Sequence, residues 1–146
     1  MPGSDALSFD TAWIALEVLV NLEKVVFGFF IIFACTLNFG FFIGDLERPE
    51  LHHPMELLAA VVVNLIATVL KFGDRTQLGA THLATSLVAT FQLIAASLVW
   101  VWRLYVEGQP IDGDIISVIV SLSGGALLAN LFSVILLMGE TLRQGR

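Results

Sequence analysis

Charge is scarce in this chain. Of 146 residues, 7 are Lys or Arg and 13 are Asp or Glu, leaving a net charge of −6. So few bases exclude nucleic acid as a partner, because phosphate contacts need clustered Lys and Arg. A basic patch for anionic lipid headgroups is missing for the same reason. Cysteine occurs once, as Cys35 inside an apolar run, so no intramolecular disulfide can form. There is no HExxH, no Gly-rich phosphate loop, no CxxC and no Ser/His/Asp set with a scaffold to hold it. The chain reads as a non-enzyme without a cofactor. Its start, MPGSDALSFD, carries acids and no base, unlike a cleaved secretory signal.

What fills the chain is apolar. The hydrophobic set makes up 57% of it, and the mean hydropathy is +0.87. A soluble domain of this size needs far more polar surface to cover its core, so the expectation is a single integral membrane domain over residues 1–146, with the lipid bilayer as its solvent. Four stretches, about 25–44, 54–72, 80–106 and 114–138, reach the roughly 20 apolar residues that cross a hydrocarbon core. Runs of this length satisfy their backbone in lipid only as helices. The gaps carry turn chemistry: Gly44-Asp45 with Pro49, Gly73-Asp74, and Gly108 with Pro110 and Gly113.

Before the first span, residues 8–23 hold Trp13, Leu19 and Leu22 beside Asp10, Glu17 and Glu23. That mixture predicts an amphipathic interfacial helix, with extension of the first span as the alternative. Lys24, Lys71, Arg75, Arg143 and Arg146 fall on the side of the termini, against Arg48 and Arg103 opposite. By the positive-inside rule both termini are cytoplasmic in an inner membrane, and Trp100, Trp102 and Tyr105 form an outer aromatic belt.

NLIATVLKFGD at 64–74 returns as NLFSVILLMGE at 130–140. A shift of 66 residues lays Ala60, Asn64, Leu70 and Gly73 on Ala126, Asn130, Leu136 and Gly139. This predicts two parallel two-helix repeats about an axis along the membrane normal. Gly73 and Gly139 would end their helices in the left-handed conformation, and Asp74 would cap the next helix with Gln77 in a capping box.

Each span carries one carboxamide away from its ends: Asn38, Asn64, Gln92 and Asn130. Asn64 and Gln92 fall near mid-membrane, Asn38 outward of them and Asn130 inward. An amide facing lipid leaves donors and an acceptor unpaired, so these four should point into protein or a wet cavity. They form either a polar path with Thr85, or interhelical hydrogen bonds that fix packing. On the third helix Thr81, Thr85, Ala89 and Gln92 share one face, with His82, Ser86 and Thr90 beside it. The phenylalanines of the first helix are assigned to lipid contact or packing.

The outer connections gather Asp45, Glu47, Glu50, His52 and His53, then Glu107, Asp112 and Asp114. Such a face concentrates cations, and the imidazoles are candidates for metal binding. Ser121, Gly125, Ala129 and Ser133 form a small-residue row on the fourth helix, suited to close packing within the chain or between subunits. The functional expectation is a channel or transport component for cations, acting as a homo-oligomer. The alternative is a non-conducting scaffold that docks a partner membrane protein through that row.

Overall fold

The computed structural model describes residues 4–44 and 48–144, without the side chains of 4–10, 17, 19–21 and 144. Asp45, Glu47 and Arg146 lie outside the described residues. Four α-helices follow one another: α1 (Ser4–Phe42), α2 (Pro54–Lys71), α3 (Gln77–Val101) and α4 (Gly113–Gln144). A single 3₁₀ turn, Pro49–Leu51, precedes α2, and a π-helical turn, Trp102–Val106, continues α3. All four helices are long and apolar enough to cross a membrane, over Leu22–Phe42, Pro54–Lys71, Gln77–Val106 and Gly113–Arg143.

The expected boundary between an interfacial helix and the first span is absent, and α1 runs unbroken through it. Between Ser4 and Phe42 the chain has neither proline nor a run of turn residues, so nothing interrupts the 39-residue helix. The side chains of Trp13, Ile14, Leu16, Val18 and Leu22 are all more than half exposed there.

Local chemistry sets the other ends. Pro54 opens α2 at a position where its missing N–H costs nothing. Gly73, with φ of 107°, ends it in the left-handed region. Gly139 does not repeat that role. It lies inside α4, which continues to Gln144, so the paired Gly-acid motifs end only one helix. The cap of α3 is Thr76, not Asp74: the Thr76 hydroxyl accepts from the Gly79 N–H at 3.0 Å. Asp74 instead accepts from the Thr76 N–H at 3.0 Å and hydroxyl at 2.8 Å, and pairs with Lys71 at 3.2 Å. These hydrogen bonds from Thr76 hold the Asp74 carboxyl below its ordinary range. Thr76→Ala is expected to cost about 1 kcal/mol of stability and to fray the first turn of α3, read by amide exchange at Gly79.

The helices form an up-down square in which α1 packs on α2 and α4, and α3 packs on the same two. The proximal end holds the α2–α3 connection, and the distal end holds the α1–α2 and α3–α4 connections. Alanines carry the close contacts: Ala34, Ala60, Ala67, Ala89, Ala96 and Ala126 are fully buried. Small side chains let helices approach where lipid offers no hydrophobic drive to association. The apolar core falls into a distal cluster around Phe41, Leu57, Leu93, Ile116 and Ile119, and a smaller proximal one around Phe27, Ile31 and Ala67. Outside, Phe29, Leu58, Val69, Phe91, Leu128 and Phe132 are exposed. Trp102 and Tyr105 also face outward, but Trp100 turns into the core and leaves the expected belt.

The 66-residue shift carries buried onto buried between α2 and α4: Leu57 onto Ser123, Ala60 onto Ala126, Val63 onto Ala129, Asn64 onto Asn130, Ala67 onto Ser133. It does not carry α1 onto α3. There the buried rows match at 55 residues, with Phe27, Ile31, Ala34, Asn38 and Phe41 falling on His82, Ser86, Ala89, Leu93 and Ala96. The α3–α4 hairpin is longer at its distal end, which breaks any single shift.

Candidate functional site: a buried band of amides

Asn38, Asn64 and Asn130 are completely buried, each on a different helix. Register places them together. The Phe42 ring lies against Gly124, where an added Cβ would stand 2.7 Å from Cε2. Asn38 is about 6 Å and Asn130 about 9 Å proximal of that contact, at 1.5 Å per residue. Gln92 meets α4 a residue away, its amide packed on Gly125. Thr68 and Thr90 share a hydrogen bond of 3.1 Å between α2 and α3, which sets Asn64 about 6 Å distal of that point and Gln92 about 3 Å distal of it. The four amides therefore occupy a band about 10 Å deep. Asn38 and Asn130, which the sequence set outward and inward of mid-membrane, fall within about 3 Å of each other in depth because α1 and α4 meet at Phe42 and Gly124.

These amides are poorly paired. Asn64 donates Nδ2–H to the Ala60 carbonyl at 2.8 Å, within its own helix. Its Oδ1, both amide atoms of Asn38 and of Asn130, and Oε1 of Gln92 have no hydrogen-bond partner among the described residues. The same is true of the Ser86 and Ser123 hydroxyls. Leaving a buried polar group unpaired costs about 1–3 kcal/mol. The four atoms of Asn38 and Asn130 would together weigh about as much as a small domain's net stability of about 5–15 kcal/mol.

The buried face of α3 is the one carrying His82, Ser86, Ala89, Thr90 and Leu93. Thr85 sits beside that face. It donates to the backbone of α3 and shares a hydrogen bond with the Ser133 hydroxyl of α4. Within the small-residue row, Gly125 receives Gln92, Ser133 meets Thr85, Ala129 is buried, and Ser121 alone is exposed. Three of the four residues thus serve contacts inside this chain.

At the distal end the two histidines part. His53 is exposed at the start of α2, whereas His52 is 3% exposed, its ring set edge-on to Phe41 at 5.2 Å and against Gly44. Among the described residues no three His, Cys, Asp or Glu side chains gather closely enough to hold a metal. Glu107 and Asp112 pair with Arg103 at 2.6 and 2.7 Å. Asp112 also accepts from the Ile115 N–H at 3.0 Å and so caps α4. Asp114 and Glu50 are exposed. The Arg103 hydrogen bond holds the Glu107 carboxyl below its usual range; for Asp112 the Ile115 N–H is the leading cause, with Arg103 behind it. A lowered carboxyl stabilises the fold above its unfolded pKa and loses that contribution as pH falls through the folded one. Arg103→Gln is therefore expected to raise the Glu107 titration toward its ordinary value and to move Asp112 less, as measured by carboxyl carbon NMR.

At the proximal end a cleft of about 660 Å³ is bordered by Glu23, Lys71, Asp74, Arg75 and Glu140. Above it lies an arrangement that sequence reading missed. His82, fully buried, meets Phe27 edge-on at 5.2 Å, and the Lys71 ammonium stands 4.3 Å from the Phe27 ring centre. Phe27 and His82 belong to diagonally opposed helices, so their contact crosses the bundle axis. The signal was the four-residue spacing of His82, Ser86 and Thr90, which marks one helix face.

A helical bundle with apolar flanks and a polar interior defines the class: a four-helix protein built to the dimensions of a membrane. The chain belongs to the family of unknown function DUF6394, which matches residues 51–141, from the turn before α2 to near the end of α4. No curated protein and no solved structure matches it.

Proposed function

We propose that this protein is a membrane channel or transport component for small cations, with the amide band as its path. One observation carries the reading: the buried, unpaired amide atoms of Asn38 and Asn130 at one depth of the bundle. Polar groups so placed need partners that come and go, and water or a cation held by the amide oxygens supplies them. Exposed carboxylates at the distal end, among them Glu50 and Asp114, would raise the local cation concentration. In this proposal the membrane is the inner membrane, the proximal end and both termini are cytoplasmic, and the protein works as a homo-oligomer of chains with two related hairpins. The scaffold alternative is the weaker one, because Gly125, Ala129 and Ser133 are engaged within the chain.

Purified protein in sealed vesicles is expected to pass at least one of Na⁺, K⁺ and H⁺ above the empty-vesicle rate. The same rate for all three in loaded and empty vesicles would overturn the reading.

A further inference from the structure

Two buried imidazoles bracket the polar interior, and nothing in the amide reading accounts for them. His82 lies near the proximal end and His52 at the distal end, each edge-on to a phenylalanine of α1 at 5.2 Å. Phe27 and Phe41 are fourteen residues apart on that helix, about 21 Å along the bundle. Neither ring nitrogen of either histidine has a hydrogen-bond partner among the described residues.

Between them, polar groups recur at short steps. His82, Ser86 and Thr90 follow one another at four-residue intervals on α3, about 6 Å each. Thr90 is bonded to Thr68 at 3.1 Å, and Thr68 donates to the backbone carbonyl of Asn64 at 2.8 Å. The amide band and Ser123 continue toward the end where His52 sits. One bridging water spans a step of this size.

The composition of this column selects among cations. Every side chain in it, whether His, Ser, Thr, Asn or Gln, can both donate and accept a hydrogen bond. A bare metal cation needs acceptors alone, commonly six or more oxygens at about 2–2.6 Å for the divalent ions. Fully buried Ala34, Ala60, Ala89 and Ala126 close the bundle around the column. The clefts bordered by Lys71 and Asp74, by Leu137 and Thr141, by Trp100 and Tyr105, by Val88 and Phe132, and by Leu98 and Ile115 are not lined by Asn38, Asn64, Asn130 or His82.

Resting on the transport reading, we propose that the cation carried is the proton, relayed through the column with His52 and His82 as its terminal groups. At each terminus a neutral imidazole takes a proton on its bare nitrogen and becomes imidazolium. It then releases the proton of the other nitrogen to the next acceptor, returning to neutrality as the opposite tautomer. No other bond changes, and reversal of the tautomer resets the site. The charged groups around His82 are Lys71 at the end of α2, Asp74 in the connection and Glu140 on α4. His52 shares its connection with Arg48, Glu50 and His53, and the first turn of α2 adds Glu56.

The test uses the full chain in vesicles holding a pH-sensitive dye, with a valinomycin-set K⁺ potential, beside parallel vesicles reporting Na⁺ and K⁺. Proton entry above the empty-vesicle rate is expected without matching Na⁺ or K⁺ flux. His82→Phe and His52→Phe are expected to cut that entry at least tenfold, while His53→Phe leaves it unchanged. His82→Gln serves as a second variant, and wild-type ion selectivity is a readout that needs no variant to fold. Na⁺ or K⁺ flux without proton flux would overturn this inference and leave the transport reading standing. Proton flux that persists in folded His52 and His82 variants would overturn the terminal roles. Silence toward all three ions would overturn both readings together.

Discussion

Replacing Asn64 and Asn130 together by leucine is expected to stabilise the protein while abolishing flux. Both amide atoms of Asn130 and the Asn64 Oδ1 are buried without partners among the described residues. Water can meet those needs only in part, since each held molecule loses freedom. Leucine has the same branched heavy-atom skeleton and no polar group to satisfy. Removing such groups in favour of apolar contact is worth about 1–3 kcal/mol, measured by unfolding in detergent. The sign decides between two accounts. Interhelical hydrogen bonds that fix packing contribute about 0.6–2 kcal/mol each, so under that account the same substitution lowers stability. A gain in stability with loss of flux is the signature of a site kept for function at the expense of the fold.

The second large effect is expected at the distal end. Phe41 is 1% exposed and stands in the main core cluster against the His52 ring, whereas Phe39, two residues away, is 53% exposed. Phe41→Ala should cost about 3–5 kcal/mol through the cavity it leaves, and it should unseat His52. Phe39→Ala should stay within about 0.5 kcal/mol of wild type. Phe41→Leu separates the two roles, retaining most of the volume while removing the ring contact. Histidine side-chain NMR would then show His52 reaching solvent with stability largely preserved. Equal effects at Phe39 and Phe41 would contradict the facing described here.

The spans were legible because long apolar runs and turn residues are local signals. The α2 limits, Pro54 and Lys71, fall within a residue of the expected 54–72. Burial of Asn38, Asn64 and Asn130 was legible too, from the cost of exposing an amide to lipid, while Gln92 is only half-buried. Their common depth was not, because it depends on the Phe42–Gly124 and Thr68–Thr90 contacts between helices. The roles of Phe27 and Phe41 were hidden for a related reason. In a helix where almost every residue is apolar, periodicity cannot say which side faces inward. Gly139 misled for the opposite reason, because glycine permits a helix to end without forcing it to, and here no residue after it stops α4 before Gln144.

If exchangeable partners reach the amide band, side-chain hydrogen exchange reads them directly. In protein labelled with ¹⁵N-asparagine and reconstituted in lipid, the side-chain protons of Asn38 and Asn130 are expected to exchange with D₂O well before the backbone amides of Ala89 and Leu93 at similar depth. Side-chain protons that persist as long as those backbone amides would mean a dry interior and would contradict the account.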